Sequence, residues 1–295
     1  MEEGNEIYEA LGRYWLSSLG IQVGVTPETI WAQKNNKVIQ LSLLHGGYFN
    51  DIVSHFDHYF ESVHPKVVND FLLVDFSKVK FHNLVGFDLI PIMFPALSEP
   101  ISTTQQYLEF ADLKNGDVCL DLGAYAGVSS ILMKEEVGNK GVVVAVEADA
   151  YTLPCLRRNI KNYFESCGKT IELVEAAVWN HNDGISFNSH GNMGSGGYEG
   201  GSGGLVNSCT ISEIVEKFKL NKLDFVKCDV EGAEGVIFDD FKVFERLKPK
   251  VIIEVHEGHR PDKLVEIFSS NGFFCEIIDQ KGCDFPLVQC KPSSI

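Results

Sequence analysis

Val118-Cys119-Leu120-Asp121-Leu122-Gly123-Ala124-Tyr125-Ala126-Gly127 is the stretch whose reading decides the fold. A short apolar run closes on an acid, and two glycines bracket three residues. A helix-compatible segment then runs to about Val137, carrying Ile131, Leu132 and Met133. That order predicts strand, tight turn, helix. Glycine suits such a turn because the backbone must reverse sharply and lie against a ligand with no Cβ between them. The helix start offers unpaired N–H groups above the strand end. A second apolar run, Val142 to Val146, closes on Glu147, where a carboxylate can take ribose hydroxyls.

Strand, glycine turn, helix and an acid one strand later form a nucleoside-cofactor signature. Dinucleotide sites use G-x-G-x-x-G, whose middle glycine admits the pyrophosphate. Here Tyr125 stands where that glycine belongs, and Asp121 lies two residues before Gly123. A carboxylate there repels a pyrophosphate and suits a ligand carrying an ammonium and a sulfonium. The pattern favours S-adenosylmethionine over a nicotinamide dinucleotide. An ordinary αβ crossover with a buried glycine is the plainer alternative.

At 295 residues the chain can hold a catalytic domain and an appendage. A net charge of −16 argues against nucleic acid as partner, and against attachment to anionic lipid. No apolar run reaches the length of a bilayer span, so no membrane partner is expected; Leu84 to Leu97 is interrupted by Asp88, Pro91 and Pro95. Glu2, Glu3 and Glu6 leave no basic n-region at the start. The eight cysteines include no C-x-x-C pair and read as free thiols in a reducing cytosol, which makes the expected location cytoplasmic.

Residues 1–100 read as a smaller N-terminal α+β region, a cap or accessory to the domain that follows. Glu3 to Leu19 can form an amphipathic helix, and Thr26-Pro27-Glu28 can start another. Residues 30 to 62 read mostly helical, broken at Gly46-Gly47, and short strands follow from 71 to 94. His55 and His58 have helix spacing, but no Cys or acidic cluster stands at ligand spacing, so no metal site is expected. The region carries no recognisable chemistry; it is expected to cap the cofactor cleft or to make a subunit contact in a homo-oligomer.

Residues 101–295 carry the chemistry. After Glu147 come a helix from about Tyr151 to Tyr163, a third strand over Thr170 to Glu175, and then Ala176 and Ala177. Gly191 to Gly204 holds eight glycines and reads either as a surface loop or as a lid over the substrate. A fourth strand from Leu223 ends in Asp229, Glu231 and Glu234, and a fifth from Lys250 delivers His256. Ligands of open parallel sheets lie beyond the carboxyl ends of the strands, so Asp229, Glu231 and His256 are site candidates. Glu234 reads equally as support for a following helix. Phe273 to Asp279 and Phe285 to Gln289 predict a closing antiparallel hairpin.

These residues resemble the FkbM-type family of S-adenosylmethionine-dependent methyltransferases. The matching residues are Glu99-Pro100, Gly116-Asp117, Asp121-x-Gly123-Ala124-x-x-Gly127, Glu147 and Asp229-Val230-Glu231-Gly232-Ala233-Glu234. The resemblance covers about residues 97 to 290. It implies an α/β, Rossmann-like class I methyltransferase sheet of seven strands with the last antiparallel, in a domain spanning residues 101–295. It also implies S-adenosylmethionine as cofactor and O-methylation of a hydroxyl on a small-molecule acceptor, a sugar or a glycosylated or polyketide metabolite. Tyr125-Ala126 departs from the family's usual Asn-Ile or similar, which alters the floor of the methionine pocket.

On this reading Asp121, Gly123 and Glu99 hold the methionine end, with Ala124, Tyr125 and Gly127 shaping the turn. Glu147 holds the ribose, and Ala176 and Ala177 border the adenine. Asp229 and Glu231 face the methyl group, and one of them or His256 is the general base. One rival is a metal-assisted O-methyltransferase, with Asp229 and a neighbour on Mg²⁺. Another is a non-catalytic interaction module that keeps the cofactor fold. A nicotinamide-dependent reductase is the weakest, for want of the pyrophosphate glycine.

Overall fold

Thr29–Lys34 and Lys37–Ser42 are strands, not the helix expected over residues 30 to 62. Thr29 and Ala32 on the first and Ile39 and Leu41 on the second are buried, and Asn35, in the left-handed region at φ +55°, closes the two-residue turn between them. Asparagine tolerates that conformation, and its neighbour is Asn36, so the turn chemistry decides in favour of a hairpin. Thr26 does not start a helix: its N–H donates to Thr29 O at 2.8 Å and closes another hairpin turn.

The computed structural model describes residues 16, 19–98, 101–189, 191, 195–198, 203–239, 241–256, 258–281 and 285–293. The chain divides into two units, 1–100 and 101–295. In the first, β1 (Gln22–Val25), β2 (Thr29–Lys34), β3 (Lys37–Ser42), β4 (Lys66–Val68) and β5 (Phe71–Phe76) form a sheet ordered β1-β2-β3-β5-β4. A second pair is β6 (Lys80–Leu84) with β7 (Phe87–Phe94), and helices α1 (Phe49–Ser54) and α2 (Phe56–Ser62) bury Ile52, Val53 and Phe56. The helix expected over Glu3 to Leu19 falls almost wholly outside the described residues.

The second unit opens with α3 (Ile101–Ala111) and then alternates: β8 (Val118–Leu122), α4 (Val128–Val137), β9 (Val142–Glu147), α5 (Leu153–Cys167), β10 (Glu172–Glu175). Short strands β11 (Ala177–Val178), β12 (Ile185–Asn188), β13 (Gly196–Tyr198), β14 (Gly204–Val206) and β15 (Ser208–Cys209) lead to α6 (Ile211–Lys217). Then come β16 (Phe225–Cys228), α7 (Lys242–Leu247), β17 (Lys250–Glu254), α8 (Pro261–Ser270), β18 (Phe273–Ile278) and β19 (Leu287–Pro292). Seven of these strands form one sheet, ordered β10-β9-β8-β16-β17-β19-β18, in which β19 alone runs against its neighbours. This is the α/β class I methyltransferase arrangement, last strand antiparallel.

Strands β8 and β16 are buried at every position, as expected for central strands of a parallel sheet covered on both faces. Order reverses between β8, which leads to β9 on one side, and β16 on the other. That reversal places the crevice at the carboxyl end of β8.

Two expectations need correcting here. Cys275 and Cys290 are not free thiols: they lie opposite each other on β18 and β19 and are joined as a disulfide. Partners on non-consecutive positions become neighbours only through strand register, which cysteine spacing does not show. The described part of the glycine-rich segment is not a bare loop, since β13 and β14 both pair with β12 in a three-stranded sheet. Among the described residues no helix is long and apolar enough to cross a membrane.

Both glycines of the opening turn have positive φ, +76° at Gly123 and +85° at Gly127. Their surroundings differ. A Cβ on Gly123 would stand 1.7 Å from Asp229 O, whereas one on Gly127 would meet only the end of Leu156, 2.6 Å from Cδ1. Backbone cannot yield as a side-chain tip can. Gly127→Ala is expected to cost about 1–2 kcal/mol, the left-handed penalty. Gly123→Ala should cost more than about 4 kcal/mol or prevent folding, as read by urea unfolding of the two variants side by side.

Candidate functional site

The turn after β8 is built around a buried acid. Asp121 is fully enclosed and accepts from Ser129 Oγ at 2.6 Å and Ser130 Oγ at 2.5 Å, both in the first turn of α4. Its strand neighbour in register is Lys227 of β16. The Lys227 ammonium, 2% exposed, donates to Gly123 O at 2.6 Å and lies 3.5 Å from Asp121 Oδ1 and 3.1 Å from Asp229 Oδ2. Asp121 therefore presents no surface to a ligand. Its work is to fix the turn. Ala124 and Tyr125 are buried with it, Tyr125 in the left-handed region at φ +46°. Asn159 of α5 donates to Ala126 O at 2.9 Å and holds the far side.

Glu147, at the end of β9, accepts three backbone N–H groups: Oε2 from Tyr125, and Oε1 from Ala148 and Asp149, each at 2.8 Å. Burial pushes its carboxyl up to about 7, against the pull of those three donors. Next to it Asp149, 1% exposed, accepts from Tyr151 N at 2.7 Å, Gly191 N at 2.8 Å, Ser195 Oγ at 2.5 Å and also Ser189 Oγ. It pins the glycine-rich segment to the β9 rim. The same segment touches the β16 rim, where a Cβ on Gly196 would stand 2.6 Å from Glu231 O.

The β16 and β17 rims bring together the acids that the sequence marked, and one it did not. His256, just beyond β17, is 6% exposed, and its Nδ1 is bonded to Glu234 Oε1. Its Nε2 faces Glu231 Oε1 at 3.1 Å, Asp229 Oδ1 at 3.5 Å and Glu254 Oε1 at 3.5 Å. Burial opposes the imidazolium, but the carboxylates of Glu231, Glu234 and Glu254 outweigh it and hold His256 above its usual range. Burial, with Glu254 beside it, pushes Asp229 up. Glu254 is buried too, yet hydrogen bonding to His256, Gln280 and Tyr107 holds it below the ordinary range. Glu234 is fully enclosed; it sits in a run of turns preceding α7, with Oε2 3.6 Å from His259 Nε2.

Asp229, Glu231 and His256 thus converge, while the Gly123 turn abuts the Asp229 backbone on one side and Glu147 holds its Tyr125 N–H on the other. Ala176 and Ala177 are both buried, just past β10. Glu99 lies outside the described residues. Glu254, Lys227 and Asp149 were not read as site residues. Strand alternation carried a signal for two of them: Lys227 precedes Asp229 by two, and Glu254 precedes His256 by two, so each pair shares a face.

The sequence profile of the FkbM methyltransferase domain matches residues 121–275. No curated protein of similar sequence matches. Among solved structures, an FkbM methyltransferase from Methylobacillus flagellatus KT is 16% identical with a TM-score of 0.46, covering 63% of this chain and 50% of that one. The chain thus spans half the length of that relative. A precorrin-6y C5,15-methyltransferase from Geobacter metallireducens GS-15 is 17% identical with a TM-score of 0.45, covering 67% of this chain and 91% of its own. A SAM-dependent O-methyltransferase from Thermotoga maritima is 12% identical with a TM-score of 0.41, covering 68% and 67%. The assignment rests on the profile.

Removing the Lys227 ammonium leaves Asp121 enclosed without its counter-charge. Lys227→Met is expected to cost about 3–5 kcal/mol in urea unfolding, and adding Asp121→Leu should recover part of that loss. Glu147 gives a pH test. A carboxyl raised from 4.5 to about 7 takes up a proton on folding, so its contribution is full below 4.5 and lost as pH rises through 7. Wild type should therefore lose stability relative to Glu147→Gln across that interval, measured as unfolding free energy against pH.

Proposed function

The chain belongs to the FkbM methyltransferase family, and from that premise we propose that it uses S-adenosylmethionine to O-methylate a hydroxyl of a sugar or of a glycosylated or polyketide small metabolite. One observation carries the reading. The Lys227 ammonium donates to Gly123 O at 2.6 Å and lies 3.1 Å from Asp229 Oδ2, which holds a carboxylate, a proton acceptor, one ammonium away from the glycine turn.

The donor set fits the cofactor. A carboxylate has about four lone-pair sites, and Glu147 gives three to backbone N–H groups, leaving Oε2 able to accept a ribose hydroxyl. The rim is rich in acids, which suits a cationic ligand and repels a pyrophosphate. Ala176 and Ala177, small and buried, leave an apolar border suited to adenine.

When bound, S-adenosylmethionine supplies an electrophilic methyl group. The chain's own residues align the acceptor and remove its proton. A sugar hydroxyl has a pKa far above neutrality, so a base adjacent to it is needed. Asp229 and Glu231 are the rim carboxylates with exposed surface, 22% and 28% of their side chains, and one of them accepts that proton. His256 Nε2 faces both, 3.1 Å from Glu231 Oε1 and 3.5 Å from Asp229 Oδ1. Asp121 and Lys227 act behind them as positioning residues.

Calorimetry with S-adenosylhomocysteine should give saturable binding. Loss of a hydrogen bond to a charged group, about 1.5–3 kcal/mol, predicts that Glu147→Ala binds it about ten- to a hundredfold more weakly. Incubation with methyl-¹³C cofactor and a panel of glycosides should place the label on oxygen, identified by its NMR shift. Label found on carbon or nitrogen would overturn the O-methyl assignment.

A further inference from the structure

The rear atoms of Asp229, Glu254 and His256 are each held by a partner, and their front atoms point at one another. Asp229 Oδ2 lies 3.1 Å from the Lys227 ammonium, while Oδ1 faces inward. Glu254 Oε2 accepts from Tyr107 OH at 3.0 Å and Gln280 Nε2 at 2.9 Å, while Oε1 faces inward. His256 Nδ1 is taken by Glu234, while Nε2 faces inward. One ligand atom from each of Asp229, Glu254 and His256 lies within 4.8 Å of the others.

An imidazole Nε2 can donate one hydrogen bond at most, yet three carboxylate oxygens face it. Charge is unbalanced as well: Asp229, Glu231, Glu234 and Glu254 crowd two imidazoles, His256 and His259, and one lysine. A separate observation agrees. Glu234 is fully enclosed, and its Oε2, 3.6 Å from His259 Nε2, makes no hydrogen bond among the described residues, so the carboxylate behind the histidine is left incompletely satisfied. A carboxylate on the rear imidazole nitrogen, here Glu234 on Nδ1, is how metal-binding histidines are oriented, with the front nitrogen turned toward the other ligand atoms.

We propose that Asp229 Oδ1, Glu254 Oε1 and His256 Nε2 bind one divalent transition-metal ion. The spacing suits it. Ligands at about 2.0–2.2 Å from a metal stand roughly 3.0–3.5 Å apart in octahedral or tetrahedral geometry, and Nε2 lies 3.5 Å from each of the two oxygens. Two carboxylates with one imidazole match Mn²⁺ better than Ca²⁺, which wants oxygens alone, or than ions that prefer thiolates. Glu231 remains outside this set.

At the acceptor the ion's task rests on the methyltransferase reading, although binding itself does not. A metal on the hydroxyl oxygen makes the O–H bond easier to break. The O–H electron pair stays on oxygen, which forms the new bond to the methyl carbon as the carbon–sulfur bond breaks and its pair goes to sulfur; Glu231 takes the proton.

The test uses the full chain stripped with chelator and titrated with MnCl₂. Electron paramagnetic resonance reads free Mn²⁺, and calorimetry reads stoichiometry. One Mn²⁺ per chain is expected, with pulsed resonance showing a single imidazole nitrogen that His256→Gln removes. Asp229→Asn and Glu254→Gln should each weaken binding at least tenfold, and Glu234→Gln about tenfold through the histidine. Circular dichroism confirms that each variant is folded. No saturable Mn²⁺ binding up to millimolar concentration, or undiminished binding in folded Asp229→Asn and Glu254→Gln, would overturn the site. S-adenosylhomocysteine calorimetry on the same samples keeps the two readings apart: cofactor binding without Mn²⁺ binding removes only the metal, and the reverse removes only the cofactor assignment.

Discussion

A single buried ammonium holds the two central strands in working order. Lys227 on β16 donates to Gly123 O at the end of β8 and sits between the carboxylates of Asp121 and Asp229. Two unit charges 4 Å apart interact by about 4 kcal/mol even at an effective dielectric of 20, against a total stability of order 5–15 kcal/mol. Without that cation the two acids would repel across neighbouring strands. With it, the glycine turn after β8 and the rim of β16 become one rigid piece.

Parallel register explains how the rest of the site is assembled. Cys228 pairs with Ile253, so the residue beyond each strand position, Asp229 and Glu254, emerges side by side. Alternation then puts His256 on the face of Glu254, and the turn residues Glu231 and Glu234 fold back onto its two nitrogens. Five groups separated by up to 27 residues in the chain converge because two adjacent strands end at the same height.

The strand, turn and helix at residues 118–137, the acid closing β9 and the acids after β16 were legible because each is a local pattern with a local cause. Glu254 and Lys227 were not, although their i,i+2 spacing was visible. Which strand lies beside which is set by crossovers, and without that order a charged residue inside an apolar run has no assignable neighbour. The Cys275–Cys290 pair is hidden for the same reason. In the N-terminal unit the failure was local: Thr29 to Ser42 fits a helix by composition, and only the Asn35-Asn36 turn argues for a hairpin. The glycine-rich segment misleads differently. Glycine suggested mobility, yet Gly196 and Gly203 lie where a Cβ would strike Glu231 O and Phe187 O, at 2.6 and 2.5 Å. There glycine serves close approach of backbones.

Net charge and site charge turn out to be separate matters. Many acids of this chain sit on its surface and are partnered weakly, as Arg157 with Glu175 is. The acids at the β8, β16 and β17 ends are buried or half-buried, and a carboxylate taken from water must be compensated by hydrogen bonds or by positive charge. Ser129, Ser130 and Lys227 compensate Asp121; three backbone N–H groups partly compensate Glu147. Around His256 the internal supply falls short, with one imidazole shared among four carboxylates. A crevice left with that deficit favours cationic ligands and rejects diphosphates. The uncompensated negative charge therefore lies one strand away from the glycine turn, around His256, while Asp121 before that turn is enclosed and already compensated.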